Sequence, residues 1–346
     1  MPDFPLALPE ARTPPPATAP TVRWGVLAPG GIAGAFVEAL RRHTRQHVVA
    51  VGSRSADRAA AFAAAHGIER SFGSYEQLVA DPDVDVVYVA SPHSEHRSQA
   101  LLAIAAGKHV LIEKAFARNA AEAVEVVQAA RSGGVLAMEA MWTRFLPQTD
   151  VLRTLLDDGV LGETVTVLAD HGQSFAPDPA GRLFNPVLAG GALLDLGVYP
   201  LSFASFVLGR PDAVVATGRL TDTGVDGQVG ITLGKGRAQA CLNTTLWART
   251  PTTASISGTT AGVELSGPFY APASMTLTST DEGRRLLRPP DAIVGHEALS
   301  YEAAHVATLI ATGATESPLM PLQETVGLLQ TIDEIRRQIG VSFPGE

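Results

Sequence analysis

The 346-residue chain has a single cysteine, Cys241. No intrachain disulfide framework can hold it, and the composition fits a reducing compartment. It also lacks a basic cluster. Its 26 Lys and Arg stand against 35 Asp and Glu, a formal net charge of -9, which argues against a surface built to neutralise a phosphate backbone. No apolar run reads as long enough to cross a bilayer. The first twenty residues, MPDFPLALPEARTPPPATAP, lack the basic start and apolar centre of a secretory signal. Residues 1–20 are instead proline-rich and are expected to form a disordered, extended tail. Together these absences point to a cytoplasmic protein whose partners are neither nucleic acid nor membrane.

What is present is enough for large cores. Hydrophobic residues make up 46% of the chain, and its length exceeds what one compact core usually holds. From Val22 apolar runs alternate with helical patterns: VRWGVLA, then a glycine-opened helix; HVVAVGS, then SADRAAAFAAAHG; VDVVYVAS, then SEHRSQALLAIAAG; HVLIEKA, NAAEAVEVVQAARSG and VLAMEAM. Ser55 is a plausible N-cap and Gly67 a plausible helix stop. Strands apolar throughout and separated by helices mean a parallel sheet covered on both faces, so residues 21–143 are read as a doubly wound, Rossmann-type domain. After about Met141 the rhythm changes. From Ala213 to Arg288 strand follows strand with turn signals between them, DG, GKG and SG among them. Residues 144–346 are therefore read as an α+β domain with a large, mainly antiparallel open-faced sheet, whose last helix, about 321–340, packs back on the first domain.

Two further absences concern chemistry. The turn after the first strand, Ala28-Pro29-Gly30-Gly31-Ile32-Ala33, keeps the middle glycine of the Gly-x-Gly-x-x-Gly/Ala dinucleotide pattern but has alanine in place of the first. Gly30, Gly31 and Ile32 are the candidates for holding a pyrophosphate at a helix N-terminus; the alternative is that the glycines serve turn geometry alone. The second strand ends in Gly52-Ser53-Arg54-Ser55, without the acid that would hold a ribose 2′-hydroxyl. Ser53, Arg54 and Arg58 suit a 2′-phosphate, so NADP is expected ahead of NAD, unless Arg54 is merely a solvated loop residue. Ligands of such sheets lie at the carboxyl ends of the strands. Three polar clusters fall there: Ser91, Pro92, His93 and His96; Glu113 and Lys114; and Glu139 to Arg144 with Trp142. Each alone could be a cap, a solvent pair or packing; their convergence favours a site. In GGALLDLGVYP, Asp195 and Tyr199 stand four apart and share a face of a helix. A phenol and a lysine can exchange a proton with a carbinol oxygen.

AGKHVLIEKAFA and GGALLDLGVYPL resemble the two signatures of the glucose–fructose oxidoreductase / inositol dehydrogenase / MocA-like oxidoreductases, the latter with Asp195 and Tyr199 at the D-x-G-x-[HY] positions. MEAMWTRFLP, RLFNPVLAGGALLDLGVYPL, YEAAHVATLI and ESPLMPLQET resemble the dimeric dihydrodiol dehydrogenase / NADP-dependent D-xylose dehydrogenase branch. The resemblance implies that Lys114 and Tyr199 are the catalytic pair and that Asp195 positions the substrate or tunes the pair. It implies that His96 and Glu113 line the nicotinamide side, and that Trp142, Arg144 and Phe145 shape the cleft, with Arg182 near the substrate. It also implies a homodimer, or a dimer of dimers, formed through the open sheet face, and no metal. The expected reaction is hydride transfer between NADP (or NAD) and a secondary alcohol or hemiacetal carbon of a sugar or cyclic diol. Two other readings stay open: an NAD-retaining glycosidase of the same family, and a catalytically silent nucleotide-sensing protein. Intact Lys114, Tyr199 and Asp195 argue against the latter. Two departures accompany Ala28. Asn185 stands where Asp is expected, a change of local hydrogen bonding. Ala115 stands where relatives have proline; alanine does not lower the cost of a cis bond as proline does, so the Lys114–Ala115 peptide is expected to be trans.

Overall fold

The computed structural model describes residues 4–281 and 283–346. The chain divides into two compact units. The first comprises Pro14–Phe145 and Gly295–Val326; the second takes the N-terminal residues through Thr13, Leu146–Val294 and Gly327–Glu346.

In the first unit, strands β1 (Arg23–Leu27), β2 (His47–Gly52), β3 (Arg70–Phe72), β4 (Val86–Val89), β5 (His109–Glu113) and β6 (Ala137–Ala140) alternate with helices α1 (Gly31–His43), α2 (Ala56–His66), α3 (Tyr75–Val79), α4 (His93–Ala105) and α5 (Ala120–Gly133). The sheet is parallel in the order β3-β2-β1-β4-β5-β6, the doubly wound order, with its switch point between β1 and β4. β4 and β6 are buried at every position, which is why they read as unbroken apolar runs. Gly25 of β1 is fixed by packing: a Cβ there would lie 2.9 Å from Leu78 Cδ2 and 3.0 Å from Val84 Cγ1. Ser55 does cap α2, accepting from Arg58 N at 3.3 Å, and Gly67 ends it with φ 66°.

The boundary expected at residue 144 differs from the observed division. The segment Gly295–Val326 belongs with the parallel sheet because its side chains are bonded to that unit. Arg42 and His43 pair with Glu297 at 2.6 and 2.7 Å, and Ala137 N–H donates to Thr315 O at 3.2 Å. Helix α8 (Leu299–Ala311) packs on α1. The final helix, Leu322–Ile339, starts in this unit, where Thr325 donates to Glu139 at 3.0 Å. From Gly327 it clusters with the second unit, where Gln338 donates to Val214 O and accepts from Ala216 N.

The second unit holds α6 (Pro147–Asp157), β7 (Thr164–Gly172), α7 (Val198–Leu208) and, in the stretch read as strand after strand, β8 (Ala213–Leu220), β9 (Asp226–Lys235), β10 (Ala238–Thr245), β11 (Ala254–Gly258), β12 (Ala261–Leu265), β13 (Met275–Ser279) and β14 (Arg285–Arg288). The order is β14-β13-β12-β11-β7-β10-β9-β8. β7 inserts between β10 and β11, parallel to the former, so the run of strands is not a simple meander. α7 packs on β7 and β10 and covers one face. The other face is open. One register row crosses all eight strands on it, from Val215 through Thr232, Cys241, Leu168, Ser255, Glu264 and Thr276 to Leu287. Val215, Leu168 and Leu287 are 61%, 48% and 68% exposed.

Three expectations are corrected here. The DG at 226–227 is not a hairpin tip. The turn lies upstream, closed by Thr221 N–H on Val225 O at 2.8 Å. Asp226 is buried inside β9, and Gly227 leaves room for Trp247, whose Cζ2 would lie 2.1 Å from a Cβ. The N-terminal residues are not a free tail. Arg12 clasps Asp150 through its guanidinium and its own N–H, Pro5 O accepts from Arg284, and Ala19 is buried. These contacts offset the ordering entropy that composition alone would leave unmet. The stretch Pro186–Leu208 is long and apolar enough, by length and composition, to cross a membrane, but 78% of its window is buried inside the protein, as a core segment is.

Candidate active site

At the switch point, the turn from β1 to α1 carries Ala28 with φ 63°. That is the left-handed region where glycine is preferred and alanine is disfavoured; the turn keeps the shape of the missing first glycine. A Cβ at Gly31 would meet nothing within 4 Å, and at Gly30 only the Ala28 carbonyl at 3.9 Å. The protein does not need these glycines for its own packing, so they leave space for a ligand. α2, α3 and α5 are capped by Ser55, Ser74 and Asn119. α1 and α4, which start on either side of the switch point at Gly30 and Pro92, have no side-chain cap. α1 has no acid in its first turn either. Free N–H groups and the positive end of a helix suit an anion.

Around this cradle, Arg58 reaches back to Pro29 O at 3.4 Å. Ser53 is buried and accepts from Ser55 N–H at 3.2 Å. Arg54 is exposed and lies against Tyr75, whose phenol is pushed up mainly by burial. His96 differs from expectation. It is fully buried, with Nδ1 2.8 Å from Ala115 O and Nε2 2.8 Å from Ser91 O. Its burial pulls the imidazole pKa down. The ring is packed between the carbonyls of two loops, its N–H donating to one of them, and His93 meets it edge-on.

Lys114 follows the last residue of β5 and is half-buried. The Glu113 carboxylate accepts from Tyr88 OH and from Lys114 N–H, the latter at 3.2 Å. The Lys114–Ala115 peptide is cis, not trans as expected from alanine in the proline position. The framework on either side fixes the chain path: Ala115 and Phe116 are fully buried, Ala115 O faces His96, and Phe116 N–H donates to Glu139 at 3.2 Å. Trp142, Arg144 and Phe145, expected to line a cleft, are each 3% exposed. Arg144 pairs with Glu324 at 2.5 Å, Phe145 stacks on His305 at 4.9 Å and Trp142 lies 5.9 Å from His296.

In the second unit, Asp195 lies on a π turn, Leu193–Gly197, that runs into α7. Such turns insert a residue and redirect side chains. Arg182 grips Asp195 with two bonds, 2.8 and 3.3 Å. Tyr199 stacks on Tyr270 at 4.5 Å, and Tyr270 on His171 at 4.6 Å. The π turn is anchored by Asp226, which accepts from Leu193 N–H at 2.6 Å. Gly191, with φ 117°, admits that carboxylate; a Cβ would lie 2.2 Å from its Oδ1. Asn185 accepts from Val187 N–H at 2.9 Å and caps a short 3-10 turn, the local role expected of it. His171, Tyr270 and the buried Glu302 of α8 went unread in the sequence, and Asp226 was read only as part of a turn. Each sits in an apolar or turn-like run that carries no motif.

Residues 22–141 match the family described as oxidoreductase family, NAD-binding Rossmann fold, and 149–264 match the GFO/IDH/MocA C-terminal domain. The chain belongs to the GFO/IDH/MocA oxidoreductases. It is similar to the trans-1,2-dihydrobenzene-1,2-diol dehydrogenases of Macaca fuscata fuscata, 39% identical over 335 residues, and of Homo sapiens, 38% over 332, covering 93% of this chain and 98% of each relative. Among solved structures it resembles a 3-ketoreductase from Actinomadura kijaniata in complex with NADP and TDP-benzene, at 26% identity and TM-score 0.82, covering 92% of this chain and 98% of that one. It also resembles an aldose–aldose oxidoreductase from Caulobacter crescentus complexed with glycerol, at 26% identity and TM-score 0.80, covering 92% and 97%. The protein is thus an NAD(P)-dependent dehydrogenase acting on CH–OH groups of a small molecule. The uncapped start of α1 and the open space at Gly30 and Gly31 fit that cofactor class.

Burial pushes Glu139 and Asp226 up to about 7. A carboxyl whose folded pKa is raised keeps its proton while the unfolded chain has already released one, so stability falls as pH rises between the two values. Thermal or denaturant unfolding should show stability declining from about pH 5 to pH 7, on the order of 2–3 kcal/mol for each group. Glu139→Gln should flatten part of that slope. A stability profile level between pH 5 and 7 refutes the assignment.

Proposed function

We propose that the protein is an NADP-preferring dehydrogenase that transfers hydride between the nicotinamide and a secondary alcohol or hemiacetal carbon of a sugar or cyclic diol. The observation that carries the cofactor part is the pair of uncapped helix starts at the switch point, with Ser53, Arg54 and Arg58 in place of an acid after β2. Gly30, Gly31 and Ile32 would take the pyrophosphate, and Ser53, Arg54 and Arg58 the 2′-phosphate. Ser91 and Pro92, at the open start of α4, would border the nicotinamide half.

When bound, the dinucleotide supplies the hydride acceptor or donor. The alcohol must lose a proton as it loses hydride. Tyr199 exchanges that proton with the carbinol oxygen, assisted by Lys114. Asp195, oriented by the two bonds from Arg182, fixes a substrate hydroxyl. The names of the similar proteins, a dihydrodiol dehydrogenase and an aldose oxidoreductase, support a polyhydroxylated or cyclic substrate. The exposed row from Val215 through Leu168 to Leu287, beside a groove of about 630 Å³ lined by Leu168 and Cys241, supports a homodimer through the open sheet face. An exposed free thiol at Cys241 suits a reducing compartment such as the cytoplasm.

Equilibrium titration should show NADPH binding at least about tenfold tighter than NADH, since hydrogen bonds to charged groups contribute roughly 1.5–3 kcal/mol. Arg54→Ala should close most of the gap; equal affinities in the wild type end the 2′-phosphate argument. A screen of pentoses, hexoses, inositols and cyclic diols, read by NADPH absorbance, should find the substrate. On that substrate Lys114→Met should lower kcat about 10²-fold or more with dinucleotide affinity preserved; near-normal turnover removes Lys114 from the chemistry. Light scattering should give a dimer mass that Leu168→Asp reduces to a monomer. A monomeric wild type rules the dimer out.

A further inference from the structure

Gln148, in the first turn of α6, is 1% exposed, and its amide faces a single loop of the second unit. Nε2 donates to Phe269 O at 3.2 Å and to Ala271 O at 2.9 Å, and Oε1 accepts from Ala273 N–H at 2.6 Å. Only this orientation of the amide sets its donors on acceptors and its acceptor on a donor. Residues 269–273 lie beyond the last ladder pair of β12 and β13, Leu265 with Met275, where strand pairing no longer satisfies the backbone. The two carbonyls flank Tyr270, so the amide grips the chain on either side of that residue. The rings carried by this backbone meet α7. Phe269 is 0% exposed and meets Phe203 edge-on at 5.5 Å. Tyr270 stacks on Tyr199 at 4.5 Å with 26° between the ring planes, and on His171 at 4.6 Å with 30°.

We infer that Tyr270 is a positioning residue for the Tyr199 phenol, and that the Gln148 amide sets Tyr270 in place. The inference rests on the proton-exchange role proposed above for Tyr199. A tyrosine ring turns about two side-chain torsions, and proton exchange needs its oxygen within hydrogen-bond reach of one carbinol oxygen. The Tyr270 ring laid against one face of Tyr199 closes off part of that rotation, and stacking favours the arrangement beyond the area it buries. The brace lasts only while the Tyr270 backbone stays where it is. The Gln148 amide does for that backbone what a ladder does for a strand. A hydrocarbon in its place would leave two carbonyls and an N–H without these bonds in a buried spot. A carboxylate would set a charged acceptor against two carbonyls. In either case the loop must rearrange, and the stack on Tyr199 loosens with it.

The test uses the full-length protein with 3-fluorotyrosine in place of its five tyrosines. The Tyr199 fluorine signal is the one missing from Tyr199→Phe, and the ring current of a stacked neighbour displaces it. Gln148→Met should shift or broaden that signal in the folded protein. An unmoved signal overturns the inference whatever Tyr199 does in the reaction. On a substrate from the screen, Tyr270→Leu should lower kcat at least about tenfold with NADPH affinity kept, the scale of a misplaced reacting group. Tyr270→Phe, which keeps the stacked ring, should bring kcat back to within about threefold of wild type, since the stack needs the ring alone. A raised KM with unchanged kcat in Tyr270→Leu shows a residue that only binds substrate, and wild-type kinetics show one that only fills space; either result overturns the inference. These kinetics decide if Gln148→Met does not fold. Wild-type turnover in Tyr199→Phe, with the signal displacement intact, would instead overturn the reading of Tyr199 on which the inference rests.

Discussion

Lys114 N–H donates to Glu113 at 3.2 Å, Phe116 N–H to Glu139 at 3.2 Å and Leu193 N–H to Asp226 at 2.6 Å. All three acceptors are buried carboxylates, and each holds a backbone turn next to a candidate catalytic side chain. A turn that leaves its ladder exposes N–H groups that nothing regular can satisfy. A buried carboxylate satisfies them with more strength than a neutral acceptor, at the cost of its own desolvation. That balance explains why Glu139 and Asp226 sit near 7 rather than in the usual carboxylate range. It also explains why the residues around them are constrained. Gly191 must lack a Cβ to admit Asp226, and Thr325 must supply a hydroxyl to Glu139.

The two units use the same device for different ends. In the parallel sheet, Glu113 and Glu139 stand at the carboxyl ends of neighbouring strands and fix the path from Lys114 to Phe116, with His96 holding the Ala115 carbonyl from the opposite side. In the second unit, Asp226 pins the start of the π turn. His171 Nδ1 lies 3.2 Å from Leu196 O near its end, and its ring stacks on Tyr270, which stacks on Tyr199. The side chains that would meet a substrate therefore stand on backbone held from both sides. Precise placement of this kind is what hydride and proton transfer demand of a protein whose cofactor supplies the difficult step.

Most of the framework was legible because periodicity reports burial directly. Strands buried on both faces read as apolar runs, and Ser55 and Gly67 marked the ends of α2 through chemistry local to the helix. The register of β7 between β10 and β11 was not legible, because strand order depends on pairings distant in the chain. Asp226 was read as a turn residue, since a DG pair signals a hairpin; only the packing of Trp247 on Gly227 reveals why that glycine is there. Arg144 and Trp142 were assigned to a cleft by resemblance, and the structure buries both against the returning segment Gly295–Val326. Glu302 lies in an apolar helical run where nothing local distinguishes it from a solvent-facing acid.

The sequence by itself determined the doubly wound sheet, the phosphate-turn candidates, the missing acid after β2 and the candidates proposed for the chemistry. Those features depend on residue type and short-range spacing, which a sequence states outright. The tertiary structure alone decided that Ala28 takes the left-handed conformation of the glycine it replaces and that the Lys114–Ala115 peptide is cis. It alone assigned Gly295–Val326 to the parallel sheet's unit and placed buried acids behind the functional turns. Those features involve partners outside the local stretch, Gly52 O for Ala28 N–H, His96 for Ala115 O and Thr325 for Glu139, and such partners leave no mark in the local sequence.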